Sequence, residues 1–385
     1  MTQKNHSPQD YLPGLDGLRA IACLMVFAVH FSQITRLRGN WGPFDLARLF
    51  ENGNTGVALF FALSGFLLSL SYWKALESGG SYPPTVRYLV RRAMRILPAY
   101  FACLTILIVL NRFWLKADRV RDIVLHYTLT FNYLDATIFR INPPFWTLAV
   151  EAQFYLLLPL FFLLARRLSL RAALVQMLAI GAAAYVGHLL IMTAAADTLV
   201  QQAGAHPRRG VSHVLTYSLL AHLPHFLMGM VTGGIFVARQ HRTQVVPRHF
   251  SAGRETTLWL AVFALFVILG TAVDDTLRIP YGRYNLPYVP VLLCLVILLT
   301  PASVSARALL DSWPLRWIGA ISYGIYIYHL PVLNAVQRYM GYGAVDAREH
   351  WFVYGAASLI LTLAIAACSY WLLERPILNF VKAKA

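Results

Sequence analysis

GLDGLRAIACLMVFAVH, residues 14–30, is an apolar run that nonetheless carries Asp16, Arg19 and His30. An ionisable group within a membrane span costs free energy, so its presence points to function. Asp16 and Arg19 are three residues apart, a spacing that lets them pair on a helix. Arg19 and His30 are eleven apart, close to three helical turns. They therefore share a face, separated by roughly 16–17 Å along the axis. An imidazole is suited to proton transfer near neutral pH. The competing reading of His30 is a hydrogen bond to a neighbouring helix.

The rest of the chain has the same character. Of 385 residues, 58% are hydrophobic and 13% charged, with a mean hydropathy of +0.56. Soluble domains carry about 25% charged residues, so this composition excludes an ordinary water-soluble fold. The formal net charge is +16. Its Lys and Arg are scattered between apolar runs and form no basic domain, which argues against nucleic-acid binding. They read instead as loop charges that orient helices and meet anionic membrane lipids. Cys23, Cys103, Cys294 and Cys368 each sit alone in apolar surroundings, with neither metal-ligand spacing nor a disulfide framework.

A span needs roughly 20 apolar residues. About ten candidates follow: 18–36, 55–73, 96–112, 146–165, 172–195, 214–238, 256–273, 286–301, 317–337 and 351–372. The semi-apolar stretch 123–139 fits a re-entrant or surface helix. The expected fold is all-α, a polytopic membrane helical bundle forming one domain over 1–385. It has a polar tail at 1–12, a cytoplasmic tail at 376–385 and no fused soluble domain. No signal-peptide cleavage site follows the first apolar run, which reads as an uncleaved helix. The loop arginines Arg87, Arg91, Arg166, Arg167, Arg239 and Arg254 place both termini in the cytoplasm. The bias is mild, because Lys116, Arg119 and Arg121 then fall in an outer loop.

Further blocks carry candidate chemistry. GVALFFALSGFLLS (56–69) interrupts a bulky span with Ser64 and Gly65, small residues that permit close helix packing. RRAMRILPAY (91–100) puts Arg92 and Arg95 on one face; guanidinium groups grip phosphates well. PPFWTLAVEAQFYLLLPL (143–160) places Glu151 near the outer end of a span, flanked by Trp146 and Tyr155. Such a carboxylate has to be paired, protonated or facing water; Glu151 could orient His30 or bind an acceptor. ISYGIYIYHLPVL (321–333) sets His329 before Pro331. WLLERPILNF (371–380) closes the set, where helix breaking and local pairing account for Glu374 and Arg375. His222 and His225 lack a third ligand, so no metal site is expected.

In this order the blocks resemble the acyltransferase 3 family of bacterial membrane O-acyltransferases, over Leu12 to about Asn379. Its members acylate O-antigens, exopolysaccharides, peptidoglycan, nodulation factors and some macrolides. The resemblance implies a multi-pass protein of the bacterial cytoplasmic (inner) membrane. It implies an acyltransferase moving groups other than amino-acyl groups: an acyl group, acetyl by default, passes from acetyl-CoA or another acyl-CoA to a hydroxyl of a saccharide or glycan. The acyl-CoA is a donor substrate, not a permanently bound cofactor. By position the resemblance makes His30 and Glu151 catalytic, and Arg19, Arg92 and Arg95 donor-binding. Asp16, Ser64, Trp146, Tyr155 and His329 then bind substrate or organise the site. Thr147 stands where the family usually has Ser, and Ala152 where a second acidic residue is common. O-acylation of a macrolide or other small molecule, and a non-catalytic multi-span transporter, are the competing readings. Acyl length, acceptor identity, oligomeric state and a general-base versus acyl-His route are open at this level.

Overall fold

A bilayer offers no water to satisfy amide groups, so each apolar run has to bond within itself as a helix. The computed structural model describes residues 12–37, 40–41, 44–45, 50, 52–115, 119–202, 214–245, 252–272 and 288–383. Most of the polar N-terminal tail, together with Lys116, lies outside the described residues.

The principal helices are α1 (Leu15–Thr35), α2 (Thr55–Ser78), α3 (Thr85–Leu110), α4 (Val120–Tyr127), α5 (Trp146–Ala165), α6 (Leu170–Gln202), α7 (Leu219–Val245) and α8 (Ala252–Ala272). Then come α9 (Tyr288–Leu299), α10 (Val304–Leu310), α11 (Trp313–Ala320), α12 (Ser322–Tyr339), α13 (Ala344–Glu349), α14 (Trp351–Ser369) and α15 (Arg375–Ala383). Strand pairing among the described residues is one small antiparallel ribbon, Asn40 with Asp45 and Trp41 with Phe44.

Among the described residues, seven helical segments are long and apolar enough to cross a membrane, and the α9–α10 pair, bent by 94°, makes up to eight. Of the ten expected spans, 256–273 and 317–337 are not among them. The stretch 317–337 is divided at Ile321, which ends α11 and precedes α12. α12 also carries Ser322, His329, Asn334, Gln337 and Arg338, too polar a set for a simple span. Within α8 the apolar helix is described over Thr256–Leu265, and the remainder of the expected span 256–273 falls on residues whose side chains lie outside the described ones. The stretch 123–139 is a surface helix, α4, followed by single turns. At the other end, α14 continues through a π turn at Tyr370–Glu374 into α15. The closing block therefore does not break the helix. Glu374 accepts a hydrogen bond from Ser369 Oγ at 3.2 Å, and Arg375 lies over the Trp371 ring at 4.2 Å.

α2 and α7 form the centre. Gly65 of α2 meets the backbone of Phe226, and Gly229 of α7 meets the backbone of Ala62. A side chain at either position would collide with main chain, so glycine sets the distance between these helices. The Trp73 indole N–H donates to the Met230 carbonyl at 2.7 Å across the same seam. Phe226 also stacks on Phe154 of α5, with ring centroids 3.9 Å apart. These contacts fix α2 and α5, two of the helices that bear the candidate site.

α3 is tied to the surface helix α4. Tyr100 of α3 donates to the His126 carbonyl at 2.8 Å. On α4, Asp122 is buried between Arg119 (3.3 Å) and Arg140 (3.6 Å). His126 Nδ1 donates to the Asp122 carbonyl at 2.7 Å, and its ring stacks on Phe131. Burial pushes the His126 imidazole from 6.5 down to about 4.

Two outcomes follow from this packing. Gly229→Val should lower folded yield and cost about 1–3 kcal/mol or more through overpacking. Gly253→Val, where a side chain meets nothing within 4 Å, should leave yield unchanged in size-exclusion profiles. For His126, the unfolded chain takes a proton below about pH 6.5, whereas the folded chain resists until about 4. Stability contributed by the neutral ring is thus lost as pH falls through that window. Thermal unfolding from pH 7 to 4 should show a smaller acid-induced drop in His126→Gln than in the wild type.

Candidate active site

α1, α2, α3, α5 and α12 enclose a cavity of about 110 Å3. Arg19 projects into it from α1, Ser64 from α2, Arg92 and Arg95 from α3, and Glu151 and Tyr155 from α5. Spacing explains each pair. Arg92 and Arg95 are three apart, and Glu151 and Tyr155 four apart, so each pair shares a helix face. Arg91, in the same arginine block, points outward and is exposed.

The carboxylate is held from two sides. Ser64 Oγ donates to Glu151 Oε1 at 2.8 Å, and the Tyr155 hydroxyl donates to the same oxygen at 2.5 Å. Arg19 lies 3.8 Å from Asp16, a loose pair whose side chains are both about one-third exposed. The charged lining is thus three guanidinium groups against one carboxylate. Such a surplus attracts an anion, and guanidinium forks suit phosphate oxygens.

His30 lies elsewhere. Its Nδ1 meets Gln33 Oε1 at 2.9 Å, and its ring sits 5.1 Å from that of His329, centroid to centroid. An amide oxygen only accepts, so with Gln33 in this orientation Nδ1 is the donor of this bond. His329 likewise donates from Nδ1, which faces the carbonyls of Tyr326 (2.7 Å) and Ile325 (3.2 Å). Its Nε2 is buried without a hydrogen-bond partner. The sequence-predicted residues therefore fall into two groups. Arg19, Ser64, Arg92, Arg95, Glu151 and Tyr155 share the cavity, while His30 and His329 pair outside its lining. Glu151 is bonded to Ser64 and Tyr155, not to His30.

Trp146 stands behind the cavity. It packs on Tyr217 (4.8 Å) and His222 (4.9 Å), and more distantly on Phe61 (6.2 Å), which itself lines the cavity. Thr147 donates to the Pro144 carbonyl at 3.0 Å and meets the Tyr326 hydroxyl at 2.7 Å. A Ser hydroxyl could make both bonds, so the Thr at this position keeps the chemistry. Among the described residues no three His, Cys, Asp or Glu side chains are grouped to hold a metal.

Ser322, Tyr323 and Tyr326 of α12 also line the cavity, although sequence reasoning passed over them. The signal was there: Ser322, Tyr326 and His329 recur at i, i+4 and i+7, one face of a helix. Pro331 helps to lock that face. It lacks the N–H that would bond the Ile327 carbonyl four residues earlier. Asn142 Nδ2 takes that carbonyl instead, at 3.0 Å, joining α12 to the segment that leads into α5.

Ser64→Ala combined with Tyr155→Phe should leave the Glu151 carboxylate without its two donors. The expected loss of stability is about 1.5–3 kcal/mol for each bond to a charged group. Adding Glu151→Gln to the pair should recover part of it in detergent-solubilised melting curves, because the charge is then gone.

Residues 12–371 match the family described as Acyltransferase domain. The Bacillus subtilis protein YrhL, named as a candidate peptidoglycan O-acetyltransferase, is 27% identical over 95% of this chain and 55% of its own length. The peptidoglycan O-acetyltransferase OatA of Listeria monocytogenes is 25% identical, over 98% and 57%. The O-acetyltransferase OatA of Staphylococcus aureus strain NCTC 8325 is 24% identical, over 97% and 58%. The chain thus spans a little over half the length of these relatives. No solved structure matches. With the family match covering nearly the whole chain, this multi-pass helical membrane protein belongs to the acyltransferase 3 family.

Proposed function

We propose that the protein is a membrane O-acyltransferase that moves an acetyl or similar acyl group from acyl-CoA to a hydroxyl of a saccharide or glycan. The observation that carries this reading is the cavity in which Arg19, Arg92 and Arg95 face a single carboxylate. An anionic donor supplies the missing negative charge, and its phosphates sit against the guanidinium groups. The relatives named for O-acetylation of peptidoglycan support a glycan as the acceptor class.

The thioester arm runs from the arginine cavity along α1 towards His30, a reach of roughly 16 Å on helical geometry. His30 Nε2 takes the proton from the acceptor hydroxyl as its oxygen attacks the thioester carbon. The carbon–sulfur bond breaks, and the thiolate leaves and recovers a proton from the imidazolium. His329 packs beside His30 and holds the ring in place. Glu151, fixed by Ser64 and Tyr155, positions the arginines and so the donor. In this reading the arginine cavity opens toward the cytoplasm of a bacterial inner membrane, with both chain termini on that side.

Mass spectrometry of glycans, lipids and secreted small molecules tests the reaction. Cells with the wild type should show an acyl-sized increment absent from cells without the protein. His30→Ala should reduce it about 10²–10⁴-fold. Arg92→Gln with Arg95→Gln should raise the acyl-CoA KM more than it lowers kcat in membranes. An undiminished increment in His30→Ala removes the histidine from the reaction, and an acyl-CoA KM unchanged in the arginine variant removes the donor assignment.

A further inference from the structure

A second concavity lies on the outer surface, where the first turns of α3 meet α15. It encloses about 890 Å3. Val90 and Met94 of α3 line one wall, and Ile377 and Phe380 of α15 the other. Arg87 and Arg91 border the same groove. They are four residues apart and so stand one above the other on the α3 surface. Both are exposed, and neither makes an ion pair among the described residues. Among the described residues, no acidic side chain lines the groove.

The arginine block is thus divided by the helix surface. Arg92 and Arg95 turn into the bundle, whereas Arg91 joins Arg87 on the outside. Whatever occupies the outer groove has to answer two features at once. A small anion would satisfy the guanidinium groups and leave the apolar walls bare. A zwitterionic lipid would cover the walls but bring no net charge to the arginines. A molecule with an anionic head and a hydrocarbon tail does both. The groove also sits where α3 begins and where the α14–α15 segment ends, the level at which a headgroup meets a helix terminus.

We propose that this groove is a binding site for one anionic phospholipid. Its phosphate rests between Arg87 and Arg91, and an acyl chain lies along Val90, Met94, Ile377 and Phe380. The site is separate from the catalytic cavity, and the proposal stands whether or not the protein transfers acyl groups.

The test is thermal unfolding of the full chain in neutral detergent, titrated with phosphatidylglycerol or with phosphatidylcholine of the same acyl chains. Phosphatidylglycerol should stabilise at an apparent concentration about tenfold lower or better, as two arginines near a lipid surface imply. Arg87→Gln with Arg91→Gln should erase the difference between the two lipids. Arg166→Gln with Arg167→Gln, exposed arginines at another loop, should keep it. Equal effects of the two lipids on the wild type overturn the proposal. So does equal loss in both double variants, which means general charge attraction. The same stabilisation by glycerol phosphate overturns it too, because a simple anion then suffices. If the groove variant does not fold, a photoreactive phosphatidylglycerol on the wild type decides: labelling of α3 and α15 peptides supports the site, and labelling spread evenly over the spans overturns it.

Discussion

Arg19, Arg92 and Arg95 share one cavity with Glu151 inside an apolar bundle, and keeping them there is the constraint on which the rest of the structure depends. A charge away from water is tolerated only if it is paired, hydrogen-bonded or left partly wet. All three answers are used. Glu151 takes two hydroxyl donors on one oxygen, Arg19 leans towards Asp16, and each of the four side chains retains partial exposure. The positive surplus is left over, and the proposed anionic donor rests on it.

Helix packing supplies the rigidity that this arrangement needs. α2 brings Ser64 to Glu151 only because Gly65 and Gly229 let α2 and α7 touch backbone to backbone. α12 reaches the cavity with Ser322, Tyr323 and Tyr326, and the carbonyl that Pro331 leaves free becomes the acceptor for Asn142. A proline that weakens one helix internally thus fastens it to its neighbour, as is common where bundles re-satisfy freed backbone groups. Beside α3, the buried Asp122 ties Arg119 to Arg140 and steadies α4, on which Tyr100 of α3 rests.

The site has two parts along α1. The arginine cavity holds charge, and the His30–His329 pair sets two imidazoles 5.1 Å apart, each with its Nδ1 hydrogen-bonded. The proposed donor, with an anionic head and a reactive end some distance away, is the kind of molecule that would span this separation. The same α3 surface carries a third feature, the outward Arg87 and Arg91. One arginine-rich sequence therefore supplies two faces, Arg92 and Arg95 to the cavity and Arg87 and Arg91 to the outer groove.

The sequence by itself determined the membrane class, the helical fold and the family, because apolar length and ordered motifs are local properties of the chain. It also determined which faces Arg19 and His30, Arg92 and Arg95, and Glu151 and Tyr155 present, since these pairs lie within single helices and 3.6-residue periodicity is enough. What it left open depends on contacts between distant segments. Among the described residues, the helix count turned on the break at Ile321 and the bend between α9 and α10, which local hydropathy does not register. Periodicity gave Glu151 no partner. Only the tertiary structure decided that Ser64, from a helix 87 residues earlier, reaches it, and that His30 instead meets His329. Those pairings are set by how closely helices approach and cross, and that distance is fixed by glycine backbones, freed carbonyls and packing that no single stretch of sequence contains.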